Sequence, residues 1–526
     1  MRGKSGKPVR PPRANNGGTP WVASGDSRGV RHAQIIVAAM AALDRGDVAT
    51  AKTGFRQVLD ENIEHPDALL GMGLVARGLR QLETAAELIR RAIRGNPRSA
   101  AYWSNLGNVL QDLDRWQEAV DAHNQAVRLA PKHAAIRQNL ASALNMVDRS
   151  YEALPHFREA LRLNPESVDA AVNYATVLAR IGEYATADRY FRQALARAPD
   201  EPIANFHYGG NLIWTGRWAE GWPRYESRFR AASYGAPSHL LAVSQELPER
   251  LDGKRIFLYR EQGIGDEIRF ATMVPDVVAR GGDITLEASP KLSALLQRSF
   301  PSVRVVPAPF RDADIGVERF DIAMPTGSLG RHLRMDVGRF PRDRVLLTPD
   351  PPRVAEFRQR MAAIGPEPKV GISWRSVSRG RLRSQFYASV ADLEPILRLR
   401  GVSFINLQYD DCAAELAEIG ERFGVTVHGV EDLDLFDDLD GSAALTAALD
   451  FVVSANTSVA TIAGGVGVPA VEFCGRPIAD GYPIAGRDPW FPSTVPVGKR
   501  IAHPWERTMR RIADIVAEHL RSEGQG

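Results

Sequence analysis

Small, apolar and polar positions recur every 34 residues between residues 29 and 229. The clearest marker is proline, which stands at Pro97, Pro131, Pro165 and Pro199. All four periods have a small residue at the eighth position and at the twentieth, with larger apolar residues around them. Because proline breaks helices and small residues let two helices approach closely, the pattern predicts antiparallel helix pairs that stack on one another.

This register resembles the tetratricopeptide repeat. Four copies match it well, and two worn copies lie at the ends, one near His32 and one from Glu201 to Phe229, as capping repeats do. One repeat cannot bury its own apolar face, so the copies must stack into a solenoid. The resemblance implies an arm that binds another protein or peptide.

After Phe229 the pattern changes to short β-branched runs that alternate with helical stretches. The runs predicted as strands are 256–259, 284–288, 303–306, 321–324, 369–373, 402–407, 425–427, 451–454 and 470–473. Strands that alternate with helices form parallel, doubly wound sheets. The sequence therefore predicts two Rossmann-like α/β halves with a ligand cleft at the carboxyl ends of their strands.

The chain is predicted to have five parts. These are a disordered basic arm (1–30), the repeats (31–230), a linker (231–252), a first Rossmann-like domain (253–345) and a second one with a C-terminal helix (346–526). The arm has two interpretations: a contact with a membrane or an acidic partner, and a solvated tail.

Composition excludes several classes of function. The 66 basic and 63 acidic residues give a net charge of only +3, which argues against a nucleic-acid-binding protein. Two cysteines, Cys412 and Cys474, allow neither a disulfide framework nor a cysteine metal site. The histidines lack paired ligand spacing, and two short acidic matches, Asp312–Asp314 and Asp432–Asp434, are interpreted as chance. Without a membrane-length apolar run or a signal peptide, the chain is predicted to be cytoplasmic.

Candidate chemistry in the first half lies in residues 261–267, directly after its first strand. Gly263 and Gly265 permit a tight turn and close approach of the backbone. The third glycine of a dinucleotide-binding fingerprint is absent, so a bound dinucleotide cofactor is disfavoured. Asp266 has two interpretations, a general base that faces the cleft and a simple helix N-cap.

The second half has two candidate anion sites, each at the end of a strand. Ser373 and Arg375 leave one strand and enter a loop with further arginines at 379, 381 and 383, which suits a diphosphate or is a solvated basic loop. Asn456, Thr457 and Ser458 begin a helix of small residues. That turn is either an anion site at a helix N-terminus or ordinary capping.

Segments 261–270, 371–375 and 456–469 together resemble the heptosyltransferase-like glycosyltransferases of bacteria, which have the GT-B fold, and in particular those with N-terminal tetratricopeptide repeats. The resemblance covers about residues 218–520. It implies inverting transfer from a nucleotide sugar, with no metal and no cofactor. Asp266 would be the base, and Gly263 and Gly265 would lie on the acceptor side. The donor would bind in the second half, at Ser373, Arg375, Arg383, Asn456, Thr457, Ser458 and Gly464.

Two positions depart from the family pattern: Asn456 stands where the family usually has Asp, and Thr461 where it usually has His. These departures favour a second hypothesis, a scaffold with a degenerate transferase module. A third is a transferase that acts on lipopolysaccharide or another glycan, with the repeats docking it to an assembly. The two-part layout is also similar to that of flagellin-modifying transferases, whose donors are nonulosonic acids.

Three asparagines, Asn105, Asn139 and Asn173, occupy the same position of successive repeats. Equivalent positions line the inner surface of a solenoid, and an amide can pair with any peptide bond. The series resembles the asparagine ladder of the O-GlcNAc transferases; the alternative is pairing within the repeat. The leading hypothesis is a protein glycosyltransferase whose repeats hold a protein acceptor while the α/β module transfers a sugar to its hydroxyl side chains.

Overall fold

The structure is a computed structural model that describes residues 27–231, 244, 246–309, 320–343, 345–377 and 386–523. Most of the predicted basic arm, most of residues 231–245 of the predicted linker, and the loop with Arg379, Arg381 and Arg383 lie outside the described residues, as does the acidic match at Asp312–Asp314. Within the described chain, contacts define two compact units that divide between Val177 and Leu178.

Twelve helices form the described repeat region up to Tyr225. Their bounds are α1 Ser27–Asp44, α2 Val48–Glu61, α3 Pro66–Gly78, α4 Leu82–Gly95, α5 Ala100–Asp112, α6 Trp116–Leu129, α7 Ala134–Met146, α8 Ser150–Leu163, α9 Val168–Arg180, α10 Tyr184–Arg197, α11 Pro202–Trp214 and α12 Trp218–Tyr225. They make six pairs. This agrees with four good copies and two worn ends.

The turn inside each pair repeats the 34-residue period in the backbone itself. Residues 46, 80, 114, 148, 182 and 216 all have positive φ angles. Three of them are not glycine, namely Arg80, Asp114 and Asp148, with φ of 61°, 58° and 62°. Because the left-handed region is unfavourable for side chains with a Cβ, this turn is imposed by the packing of the two helices.

Small residues let the paired helices approach, as the sequence predicted. A Cβ at Gly73 would lie 2.7 Å from Ile89, and one at Gly107 would lie 2.5 Å from the His123 ring. The alanines at the twentieth position, Ala85, Ala119, Ala153 and Ala187, are fully buried. The core of the first unit is therefore a stack of close helix contacts filled by residues such as Phe55 and Ile89.

The α/β part contains two sheets in which every strand pairing is parallel. The first has the order β3-β2-β1-β4, with β1 Arg255–Tyr259, β2 Asp283–Ala288, β3 Arg304–Pro307 and β4 Ile322–Pro325. The second has the order β10-β9-β8-β5-β6-β7, with β5 Lys369–Ser373, β6 Ser403–Asn406, β7 Val427–His428, β8 Phe451–Ala455, β9 Ala470–Cys474 and β10 Thr494–Gly498.

Helices connect these strands. They are α13 Ile264–Ala271, α14 Val274–Val278, α15 Pro290–Ser299, α16 Gly330–Leu333, α17 Pro351–Ile364, α18 Glu394–Leu397, α19 Ala413–Phe423, α20 Leu439–Thr446, α21 Ser458–Gly465 and α22 Glu506–Glu523. In both sheets the strand order reverses beside the first strand, between β1 and β4 and between β5 and β8. Ligands of doubly wound sheets bind at such a reversal, beyond the carboxyl ends of the strands.

Helices α10–α12 belong to the second compact unit, although the sequence predicted the domain boundary near residue 230. The Trp214 ring stacks on Tyr482 with centroids 4.4 Å apart, and the Trp222 indole donates to the carbonyl of Arg334 at 2.9 Å. Trp218 and Trp222 share one apolar core with the first sheet and with Trp490 and Phe491. The last repeat and the α/β part are therefore packed as one body.

We predict opposite effects from two glycine substitutions in α3. A Cβ at buried Gly71 would lie 2.3 Å from the Phe55 ring, whereas one at exposed Gly78 would meet nothing within 4 Å. Gly71→Ala should lower the free energy of unfolding by about 1–3 kcal/mol through overpacking. Gly78→Ala, the matched control, should raise it by up to about 1 kcal/mol through helix propensity. Urea unfolding of the full chain followed by circular dichroism measures both, and equal effects would contradict the packing described.

Candidate active site

The motifs of the two halves meet at the start of two helices. Gly263 is the N-cap of α13 and Thr457 is the N-cap of α21, where its hydroxyl accepts from the Val459 N–H at 3.3 Å. A Cβ at Gly265 would lie 3.4 Å from Thr461 Oγ1 and 3.9 Å from the Ser458 backbone. Gly265 thus lets α13 approach the N-terminal turn of α21. The predicted acceptor and donor motifs are neighbours.

Asp266 lies half-buried in the first turn of α13. It is inside the helix rather than at the N-cap position, which Gly263 occupies. The simple capping interpretation is therefore wrong for Asp266. Burial raises the pKa of the nearby Tyr225 phenol, and the charges of Glu261 and Asp266 add to that rise. The carboxylate of Asp266 thus lies in an electrostatic environment shared with the end of the repeats.

The loop that presents Asp266 is anchored by a buried ion pair that the sequence did not predict. Arg228 is fully buried and donates to both oxygens of Glu261, from Nε and Nη2, at 2.8 Å. Its remaining N–H groups donate to Glu226, to Ser328 and to the Tyr225 carbonyl. Glu261 also accepts from the Gly327 N–H at 2.8 Å. The sequence drew attention to the charged segment 261–267. It gave no indication that the partner of Glu261 is an arginine 33 residues earlier in the chain.

A second buried pair fixes the other acidic residue of this loop. Glu267 is 3% exposed and accepts from Arg260 Nε at 2.9 Å and from the Ser289 N–H at 2.6 Å. Burial raises the pKa of its carboxyl group. Both glutamates that flank the Gly263–Asp266 turn therefore have structural partners. The role of Asp266 as a base stays a prediction.

In the second half, Ser373 and the 456–458 turn follow neighbouring strands. Ser373 is the last residue of β5 and pairs with Ser454 of β8, so the two strand ends lie side by side at the reversal of strand order. Ser373 Oγ donates to Gln408 Oε1 at 3.3 Å, and the same oxygen accepts from the backbone N–H groups of Trp374 and Arg375. These residues share one edge of the sheet, as the sequence predicted.

The Arg375 guanidinium already has carboxylate partners. It is paired with Asp410 and Glu415, and its Nη2 donates to the Asp411 carbonyl at 3.1 Å. The residue is 8% exposed. This arrangement assigns Arg375 to holding the loop after β6, and its predicted contact with donor phosphate stays a prediction. Arg383, also predicted for the donor, lies outside the described residues.

Gly464 differs from its predicted role. It lies in the last turn of α21, fully enclosed, where a Cβ would be 2.5 Å from the Phe491 Cβ. The glycine is needed for packing against Phe491, and a donor contact at this position is a prediction that the geometry does not support. The small-residue composition of the helix serves the same close packing: α13 approaches one side of it, and a Cβ at Gly465 would lie 2.6 Å from Leu347.

A cavity of about 600 Å³ opens beside the strand ends, lined by residues that follow β5, β6 and β7. The rings of Tyr409 and Phe436 are nearly parallel, with centroids 6.2 Å apart, and both line the cavity. Asp410 and Glu431 also line it. The sequence did not predict this cavity, because its residues come from three separate loops.

The asparagine series is half-buried in the first unit. Asn105 Nδ2 donates to the Ala101 carbonyl of its own helix at 2.9 Å, and Asn139 Nδ2 donates to Ser104 Oγ of the preceding repeat at 3.2 Å. These contacts agree with pairing inside the repeats for those two residues. Binding of a peptide by Asn105, Asn139 and Asn173 stays a prediction.

Two further properties concern the described residues alone. None of their helices is both long enough and apolar enough to cross a membrane. They also contain no group of three or more His, Cys, Asp or Glu side chains placed to hold a metal ion. Asp432, from the acidic match at 432–434, is paired with Arg360.

Comparison with known proteins confirms the repeats. Family models described as tetratricopeptide repeat match residues 36–100, 98–166 and 152–206. The chain therefore contains tetratricopeptide repeats. Two similar solved structures are a YrrB protein described as a TPR protein with an unusual peptide-binding site (20% identical, TM-score 0.29, 33% of this chain and 89% of that chain) and PilF of Pseudomonas aeruginosa (23%, 0.34, 40% and 91%). TM-scores this low support no conclusion about the rest of the chain.

A curated relative reaches beyond the repeats. Protein FlbA of Caulobacter vibrioides (strain ATCC 19089 / CIP 103742 / CB 15) is 36% identical over 326 residues, which are 59% of this chain and 54% of FlbA. The chain thus spans about half the length of that relative. Because the match is longer than the 229 residues that end with the last repeat, it includes part of the α/β region.

We predict that loss of the buried cation destabilises the second unit. Arg228→Met leaves the Glu261 carboxylate buried without its partner, which should cost about 3–5 kcal/mol. Arg250→Met is the matched control, because the Arg250–Asp252 pair has side chains 86% and 64% exposed and surface pairs contribute little. Thermal unfolding of the full chain compares the two variants. Similar melting profiles for both would contradict the anchoring role of Arg228.

Proposed function

We propose that the chain is a glycosyltransferase that moves a sugar from a nucleotide sugar to hydroxyl side chains of a protein. The module would be of GT-B type, with the acceptor on the side of residues 253–345 and the donor on the side of residues 346–526. The observation that carries the proposal is the meeting of two switch-point motifs, where Gly265 on α13 faces Ser458 and Thr461 on α21. Such a cleft between two parallel sheets suits a reaction between two separately bound substrates.

The cavity beside β6 and β7 supports a nucleotide donor. The Tyr409 ring lines the cavity and offers a flat apolar surface to a base, and stacking on such a ring tolerates any base. Glu431 also lines the cavity, and its carboxylate can accept hydrogen bonds from ribose hydroxyls. From this cavity the donor phosphates would extend toward the start of α21, whose N–H groups favour an anion.

The proposed reaction uses one proton transfer and one displacement. The acceptor hydroxyl oxygen attacks the anomeric carbon, and the bond from that carbon to the donor phosphate oxygen breaks with inversion. The hydroxyl proton passes to the Asp266 carboxylate. The N–H groups of Thr457 and Ser458 stabilise the charge that develops on the leaving phosphate. No metal or cofactor is part of the proposal.

The repeats would supply the acceptor. Arrays of this kind present a groove to a polypeptide, and Asn105, Asn139 and Asn173 are the proposed contacts with its backbone. Flagellin is the acceptor that the resemblance to flagellin-modifying transferases favours, and the cytoplasm is the proposed place of modification. The direct test is the intact mass of secreted and surface proteins from cells with and without the gene.

A second candidate function, a scaffold with a degenerate transferase module, is favoured by one observation. The Arg375 guanidinium is taken up by Asp410 and Glu415 rather than turned toward the cleft. The two candidates differ in nucleotide binding, which the scaffold lacks.

We predict that Asp266→Asn keeps nucleotide affinity and lowers transfer by at least about a hundredfold, because the amide cannot take the proton. Asp283→Asn, at the exposed start of β2, is the control and should transfer at the normal rate. Mass spectrometry of the acceptor gives the initial rates. Unchanged turnover of Asp266→Asn would remove Asp266 from the mechanism.

We predict that one member of a panel of nucleoside mono- and diphosphates binds and that Tyr409→Ala weakens its binding about tenfold, through lost stacking of about 1.4 kcal/mol. Tyr151→Ala, an exposed tyrosine of α8, is the control. Isothermal titration calorimetry gives the affinities. If no nucleotide binds to the natural protein, the scaffold candidate replaces the transferase.

A further inference from the structure

A buried carboxylate on β9 lies between the two motif-bearing helices. Glu472 is 6% exposed, and one of its oxygens accepts from Asn456 Nδ2. Its other oxygen is 3.9 Å from Arg269 Nη2. Arg269 is on α13, about one turn after Asp266, while Asn456 begins the turn that leads into α21. One side chain therefore contacts the proposed donor turn and, through Arg269, the helix of the proposed base.

Arg269 is held firmly enough for this contact to have a defined geometry. Its Nη1 donates to the Tyr482 hydroxyl at 2.7 Å and is 3.4 Å from Asp488 Oδ2. Tyr482 in turn donates to Asp488 at 2.9 Å, and Asp488 Oδ1 accepts from the N–H groups of Trp490 and Phe491. The guanidinium is thus fixed by a chain of hydrogen bonds rooted in the backbone of the 488–491 turn.

The residue types at 456 and 472 are complementary. The Asn456 amide donates while the Glu472 carboxylate only accepts, so the pair is satisfied and Arg269 keeps an anionic neighbour. An aspartate in place of Asn456 would put two carboxylates in contact. The asparagine that departs from the family pattern therefore has its physical reason in the neighbouring strand, where Ser454 pairs with Glu472.

We propose that Glu472 is a positioning residue for the transfer reaction. Its carboxylate bridges the donor turn through Asn456 and the catalytic helix through Arg269, and so fixes the separation between the leaving group and the base. This inference rests on the proposed function. It implies that acid and amide can be exchanged between the two positions. When Asn456→Asp and Glu472→Gln are combined, the new amide donates to the new carboxylate and keeps its carbonyl oxygen for Arg269.

The test compares four full-length proteins: the natural chain, Asn456→Asp, Glu472→Gln, and the double variant. Asn456→Asp places two carboxylates against each other, and they repel. In Glu472→Gln one carboxylate oxygen becomes an NH2 group, so the side chain can no longer present one oxygen to Asn456 and another to Arg269. Each single change should lower kcat at least about thirtyfold while the dissociation constant of the nucleotide changes less than about fivefold. The double variant should recover kcat to within about fivefold of the natural chain, as coupled neighbours do.

Recovery in the double variant, with both singles impaired, supports the bridge. A double variant as impaired as the product of the two singles overturns it, and so do single variants with normal kcat. If the singles do not fold, Tyr482→Phe replaces them, since it removes the hydroxyl from Arg269 and keeps the ring on Trp214. It should lower kcat and leave nucleotide affinity unchanged, and normal kcat overturns the proposal.

The same proteins distinguish failure of the proposed function from failure of the Glu472 bridge. If the natural chain transfers no sugar, that function fails, and urea unfolding of the same four proteins decides whether residues 456 and 472 are coupled at all. Non-additive midpoints in that cycle support a structural bridge between the two halves. Additive midpoints overturn the bridge as well.

Discussion

The arrangement of the second unit depends on the burial of one guanidinium. Arg228 has all five of its N–H groups paired, with Glu261, Glu226, Ser328 and a carbonyl. A buried cation is tolerated only when its charge is paired and its N–H groups have acceptors. The contacts with Arg228 therefore fix the positions of Glu261 and of the 326–329 turn. Because Glu261 begins the loop that presents Asp266, the end of the repeats sets the position of the candidate base.

Apolar packing extends the same constraint across the cleft. Trp218 and Trp222 of α12 lie in one core with Phe340 from the first half and Trp490 from the second. The last repeat is thus part of the wall around the candidate site. Under the proposed function, the last repeat helps to set the geometry of the module that receives the acceptor.

Local patterns predicted the elements well. Strand β5 was placed to the residue, because β-branched runs act over a few residues. Strand β10 was missed since it contains Pro496, which is tolerated there because the strand lies at the edge of its sheet. The turn with positive φ at Arg80, Asp114 and Asp148 was likewise not visible, since no glycine marks it.

The site was predicted in outline but not in its electrostatics. The sequence placed Gly265, Asp266 and the 456–458 turn at strand ends, and the structure brings the two motifs together. The sequence did not predict that Arg375 is paired with Asp410 and Glu415. It also did not predict that Glu472 lies between Asn456 and Arg269 and contacts both. Such pairings depend on which loops meet in space, and a single sequence without related sequences does not specify them.

A crystal structure of the full chain with the tightest-binding nucleoside diphosphate would decide whether the strand ends of the second sheet hold a sugar donor. We expect the base against the Tyr409 ring and the phosphates at the N–H groups of Thr457 and Ser458, with Asp266 facing the terminal phosphate across the cleft. A nucleotide bound elsewhere on the chain, or a cavity that stays empty at saturating nucleotide, would contradict a donor site at this place.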